Sequence, residues 1–154
     1  MAQSNFDPDR YKWREVTGEP ELSYFVRHDY TILGYDLAAG TLDMVVRWTG
    51  DGGHCPMHRH TATTTVLVLD GEQYLWDIHP DGTRGEPKVR VAGDYALTVG
   101  DALPHLECGG ETGGIVFFGN HSSNGLLYEI LDEELKVVVD VTMETLVADF
   151  EANT

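Results

Sequence analysis

Basic residues are scarce in this chain. Ten Lys and Arg stand against 26 Asp and Glu, a formal charge of −16, and a surface this acidic repels phosphate backbones and anionic lipid headgroups. Nucleic acid and membrane are therefore excluded as expected partners. Long apolar runs are missing too: no stretch approaches the roughly 20 residues of a membrane span, and residues 1–16, MAQSNFDPDRYKWREV, lack the apolar centre of a secretory leader. The expected location is the cytoplasm. Cysteine is limited to Cys55 and Cys108, too few for a disulfide scaffold and in keeping with a reducing compartment. With no internal repeat or linker, the 154 residues, 42% of them hydrophobic, read as one domain over 1–154 with a real core.

What the chain does contain is a succession of short β-rich runs broken by Gly, Asp and Pro. Strands are expected at 22–28, 41–49, 63–69, 72–79, 87–91, 94–99, 105–108, 114–119, 126–131 and 135–141. Asp-Gly at 70–71 and 81–82 and Gly-Asp at 93–94 and 100–101 supply turns. Short strands without intervening helices predict an all-β domain. Only the end differs: Thr142 is a capping residue, and Met143, Leu146, Val147 and Phe150 fall on one face, so 143–152 is predicted to be a terminal helix packed on the barrel. Residues 1–20, with Phe6, Tyr11 and Trp13 in a polar setting, are read as an N-terminal extension draped over the domain or a neighbour. Because barrels of short strands commonly hide exposed edges against a partner, a homodimer is expected.

Histidine carries the chemical signal. In GGHCPMHRHTATTTVLVLDGE, residues 52–72, His58 and His60 have the same strand parity and can offer two imidazoles to one cation. Downstream, GDYALTVGDALPHLE, residues 93–107, repeats the order of strand, glycine turn and histidine and ends in His105 and Glu107.

These two stretches resemble the conserved blocks of the cupin superfamily: Gly, five residues, HxH, three or four residues, Glu, six residues, Gly; then Gly, five residues, PxG, two residues, His. Here the first reads Gly52, His58, His60, Thr64 in the glutamate's place, and Gly71; in the second, Gly93 stands one residue too far from His105, and VGDALP replaces PxG. The resemblance implies a jelly-roll barrel with His58, His60 and His105 as metal ligands. With Thr64 unable to supply the family's carboxylate, three neutral imidazoles would leave a divalent metal its full charge, which favours an anionic, bidentate guest. The pattern is similar to the acetylacetone dioxygenase group. That similarity implies Fe(II), with Zn or Ni as alternatives, and the cleavage by dioxygen of a carbon–carbon bond in a small β-dicarbonyl or hydroxy-ketone bound as its enolate. Two other outcomes stay open: a zinc-holding sensor or binding module, and a zinc-dependent hydrolase or isomerase.

Three further residues are candidates for catalysis. Glu107 would orient a ligand or take the substrate proton, or else is a solvated carboxylate at the barrel mouth. Tyr74 and Trp76 share a face, as pocket lining or as core. Arg47 would hold a developing oxyanion or lie on the surface. His28, His54, His79 and His121 fall outside the pattern and are read as non-ligands. Cys55 and Cys108 are either small buried hydrophobes or neighbours of the site. The acidic surroundings favour a substrate that arrives neutral over an aromatic carboxylate such as gentisate.

Overall fold

The computed structural model describes residues 6–100 and 102–154. Ten strands run in order: β1 (Arg14–Thr17), β2 (Arg27–Asp36), β3 (Thr41–Trp48), β4 (His58–His60), β5 (Thr63–Asp77), β6 (Lys88–Val91), β7 (Tyr95–Thr98), β8 (His105–His121), β9 (Leu126–Leu131) and β10 (Val137–Thr142), followed by helix α1 (Met143–Asn153). All pairings between them are antiparallel: one path runs β1-β2-β3-β8-β4-β9-β10, and β5 lies along β8 with β6 and β7 on its other edge. The sheet curls on itself into the expected barrel. Inward residues of β3, Leu42, Met44, Val46 and Trp48, meet Val66, Val68, Val116 and Leu127 in one core, and Met143, Leu146 and Val147 of α1 close it.

Local chemistry explains most boundaries. The Thr142 hydroxyl accepts a hydrogen bond from the Thr145 amide while the Thr142 amide donates to the Thr145 hydroxyl, so the helix begins at Met143 as its capping residue predicts. The strand expected at 135–141 begins at Val137, because Leu135 sits at φ 66° in the preceding turn. That expected at 22–28 is displaced: the Ser23 amide donates to Glu133 at 2.8 Å, and the ladder starts at Arg27 and runs to Asp36, past a register shift between Ile32 and Gly34. Within the N-terminal extension, Arg14–Thr17 pairs with β2 as an edge strand. Residues 1–5, and Asp101 of the expected 100–101 turn, lie outside the described residues.

The largest departure concerns the breaks at 70–71 and between 108 and 114. Both were read as ends of strands, yet β5 and β8 each run through, paired from Thr63↔His121 to Asp77↔His105 with register shifts between Val68 and Asp70 and between Gly71 and Gln73. Gly71 has φ +63°, and a Cβ there would lie 2.4 Å from the Gly113 carbonyl oxygen; Gly113 has φ +90° and would clash with Trp48 in the same way. Glycine at both places permits a close crossing where the strands bend rather than stop. The bulge also exchanges the faces of each strand. In β5 the buried residues are Thr64, Val66 and Val68 before it and Gln73 and Leu75 after it; in β8 the residues facing the barrel interior shift from His105 and Glu107 to Val116, Phe118 and Asn120, while Leu106 and Cys108 are buried on the other face.

Candidate metal centre

His58 and His60 project inward from β4, and His105 and Glu107 from the neighbouring β8, with His58 directly opposite His105 in the ladder. The two short motifs, HRH and HLE, are thus brought side by side. One ligand atom from each of the four residues lies within 4.8 Å of the others. All four are buried. The His58 and His105 rings are 4.4 Å apart, and His60 is 5.0 Å from His58 and 5.1 Å from His105. Glu107 Oε1 is 3.3 Å from His58 Nε2 and 3.9 Å from His105 Nε2.

Each ligand is oriented from behind. Imidazole Nδ1 of His58 lies 2.7 Å from the Pro56 carbonyl oxygen, to which it can only donate, so Nε2 is the nitrogen turned toward the cluster. His60 Nδ1 lies 3.3 Å from the Thr64 hydroxyl; Thr64 donates to Asn120 Oδ1 at 3.1 Å, and Asn120 Nδ2 donates to the Leu42 carbonyl at 3.2 Å. Gln73 Nε2 donates to Glu107 Oε2 at 2.7 Å and Arg90 donates to Gln73 Oε1 at 3.1 Å, so only Oε1 of the carboxylate faces the imidazoles.

The protonation states suit a cation. Burial, then the charges of His58 and His105, hold His60 well below the usual imidazole range; burial, then His58, does the same in lesser degree for His105. Burial drives the Glu107 carboxyl upward, but the facing imidazoles of His105 and His58 together outweigh it and leave the group well below the usual carboxylate range. At neutral pH the cluster therefore sets neutral imidazoles at His60 and His105 beside an ionised, buried carboxylate. His105 Nε2 is buried without a hydrogen-bond partner, an arrangement costly to leave unmade. A divalent ion between the four residues satisfies that nitrogen and offsets the carboxylate, so the donor set fits a metal. Three imidazoles and one carboxylate suit Fe, Zn, Ni and Cu alike.

The centre thus differs from the expected set of three neutral ligands. Glu107 adds a carboxylate to the three imidazoles at a place where it could stand in for the one missing at Thr64, and Thr64, fully buried, lies against His60 instead. The other two catalytic candidates lie elsewhere. The bulge in β5 turns Gln73 inward, and Tyr74, stacked beside Trp76 with ring centroids 6.3 Å apart, lies on the opposite face. Arg47 alternates with the inward residues of β3 and so points outward, where it donates to Asp29 at 2.9 Å and lies 4.1 Å over the Trp13 ring. Of the other histidines, His54 packs against Tyr24 and Trp76. His28 lines the cavity beside the centre, and burial lowers it to about 4. Among the described residues neither belongs to the ligand cluster. Both cysteines are free and buried; burial raises each thiol, and Cys55 borders the cavity.

That cavity has a volume of about 370 Å³ and is walled mainly by apolar residues of β2, β3, β9, β10 and α1, with His58, His60 and Glu107 at its inner end and neither Lys nor Arg in its lining. Tyr128 is the residue the sequence did not flag. It pairs with His60 across β4 and β9, its ring lies 5.3 Å from His58, and burial raises its phenol. Among the described residues none bonds its hydroxyl, so a neutral donor borders the cavity. No motif marks it.

No protein-family model matches the chain, and no curated protein does. Solved structures do. An RmlC-like cupin protein from Ralstonia eutropha superposes with a TM-score of 0.67 at 15% identity, over 99% of this chain and 87% of the other. An acetylacetone dioxygenase from Acinetobacter johnsonii gives 0.63 at 12%, over 100% and 93%. A cupin 2 conserved barrel domain protein from Rhodopseudomonas palustris gives 0.63 at 10%, over 88% and 89%. Identities this low speak for architecture rather than reaction. By its curled antiparallel sheet and by these superpositions, the chain has the cupin fold.

Proposed function

We propose that the chain is a metal-dependent dioxygenase that cleaves a carbon–carbon bond of a small, neutral β-dicarbonyl or hydroxy-ketone, with Fe(II) as its metal and His58, His60, His105 and Glu107 as the ligands. The observation that carries this reading is the junction of a buried cluster of three histidines and a carboxylate with an apolar cavity free of Lys and Arg. The likeness in fold to an acetylacetone dioxygenase agrees with it. Bound iron supplies Lewis-acid polarisation of the substrate oxygens and electron exchange with dioxygen.

The protein's own groups do the rest. His58, His60, His105 and Glu107 would bring one negative charge to a divalent metal and so leave one net positive charge, which suits a substrate that enters neutral and is held as a monoanion. Thr64 and Gln73 fix the lone pairs of His60 and Glu107 before substrate arrives. Tyr128 donates its hydroxyl proton to a substrate carbonyl oxygen, and the apolar wall excludes water. With Oε2 tied to Gln73, Glu107 serves as a ligand, and the proton the substrate loses on becoming the enolate passes to solvent at the cavity mouth.

Oxygen consumption by the Fe(II) form tests the proposal, with acetylacetone and gentisate side by side at low and high salt. Uptake with acetylacetone is expected. Activity confined to gentisate would overturn the substrate class, and no uptake with either would overturn the dioxygenase reading in favour of a zinc-holding protein.

A further inference from the structure

The ligand cluster has a second side. Another cavity, of about 260 Å³, reaches His60, His105 and Glu107 from between β5, β6 and β7, and shares only His60, Glu107 and Phe118 with the first. The cluster therefore forms a partition between two chambers lined by different strands. They differ in chemistry as well. The first holds neither Lys nor Arg, whereas Lys88 and Arg90 border the second together with the carboxylates of Asp77 and Glu107.

Of these two cations only one is uncommitted. Lys88 is 2.8 Å from Asp77 and its side chain is 56% exposed, so its charge is already answered. Among the described residues Arg90 bonds only the neutral amide oxygen of Gln73, at 3.1 Å, and forms no ion pair with a carboxylate, and it is partly buried on the inner side of β6. Its charge is felt as far as His60. A planar guanidinium with donors to spare, half removed from water in a chamber of this size, matches a small planar anion.

We propose that Arg90 is an anion-binding residue and that its ligand is a small monocarboxylate, the charged product of the reaction inferred above. This assignment rests on that reading. Oxygenolysis of a β-diketone breaks one carbon–carbon bond and passes four electrons to dioxygen; each fragment keeps one of its two oxygen atoms, giving a carboxylic acid and an α-ketoaldehyde. The acid then loses its proton. The substrate enters neutral through the apolar chamber, and a carboxylate, which that chamber cannot solvate, departs past Arg90.

Titration with [¹³C]acetate, followed by NMR on the metal-free and Mn(II)-loaded protein, tests the site without turnover. Acetate should bind the metal-free protein, show paramagnetic broadening in the Mn(II) form, and persist when acetylacetone is added. Arg90→Gln should weaken it about tenfold or more, Arg90→Lys should recover part of the loss, and Lys88→Gln should leave it within about twofold. Equal affinity in the wild type and Arg90→Gln, recovery with neither cation, or displacement of acetate by acetylacetone would overturn the assignment. Failure of the reaction itself is separable. If oxygen uptake is absent while Arg90-dependent acetate binding persists, the anion site stands and its role as a product site falls; if uptake is present and acetate ignores Arg90, the site falls alone.

Discussion

Thr64 distinguishes a vestige from a working part. If it merely fills the place of a lost ligand, Thr64→Val, which preserves the shape, should be harmless. The structure predicts otherwise, because the hydroxyl stands between His60 Nδ1 at 3.3 Å and Asn120 Oδ1 at 3.1 Å with no access to water. Valine strands one donor and one acceptor. A buried polar group left unpaired costs about 1–3 kcal/mol, and since both bonds are long the low end applies, about 2 kcal/mol in all. For a domain of this length that lowers Tm by about 4–8 °C. Freed of its partner, the His60 ring is no longer held with Nε2 toward the cluster, and loss of such a supporting bond weakens metal binding about 10–100-fold. Calorimetric unfolding of the metal-free protein and chelator competition with Zn(II) measure the two effects separately. Thr64→Ser should behave nearly as wild type. If Thr64→Val retained both Tm and metal affinity, the orienting role would be wrong and Thr64 would be a passive filler.

Tyr128→Phe should lower kcat for a β-diketone about 10²–10³-fold, the loss of one donor to a developing oxyanion, with Zn(II) affinity in competition titration unchanged; a fall in both would mean a structural role. In the metal-free protein, His28 links stability to acid: its folded pKa of about 4 lies below the usual 6.5, so the unfolded chain binds the proton first, and stability present above pH 6.5 is lost as pH falls toward 4, by up to about 3 kcal/mol. Denaturant unfolding of His28→Leu should show a shallower fall over that window, and an equal slope would refute the assignment. Val89, Val91, Tyr95, Leu97 and Val99 form an exposed apolar row on β6, β7 and the residue beyond. We expect this face to be covered in a homodimer, and sedimentation that gave only monomer at micromolar concentration would count against it.

Much of the fold was legible because its signals are local. Leu126–Leu131 emerges at its predicted bounds, and the helix at its cap, because apolar period and capping chemistry act within a few residues. What escaped was set by pairing. The isolated HRH segment carries no strand signal of its own and is held by β8 and β9. Arg27–Asp36 is interrupted by Asp29 and Gly34, and qualifies as a strand only through its partners on either side. Asp-Gly at 70–71 has the composition of a hairpin turn, yet it bends one strand over another because Gly113 and Gly114 lie opposite.

That bend explains both the residue misplaced and the one undervalued. Parity counted along the chain from Thr64 puts Tyr74 and Trp76 inward, but parity survives only while the ladder is regular, and one bulge hands the inner face to Gln73 and Leu75. Counted across the ladder instead, the site could have been completed from sequence. His105 and Glu107 are spaced as His58 and His60 are, and once the two short runs are antiparallel neighbours with His58 opposite His105, all four side chains must share one face. The motif spacing alone gives Glu107 a supporting or basic role rather than that of a ligand. In a curled sheet, a neighbouring strand is where a fourth ligand is best placed: strands lie about 4.8 Å apart, the same scale as the 4.8 Å that encloses the four ligand atoms. A carboxylate lost from one strand of such a barrel is replaceable from the next without moving the metal.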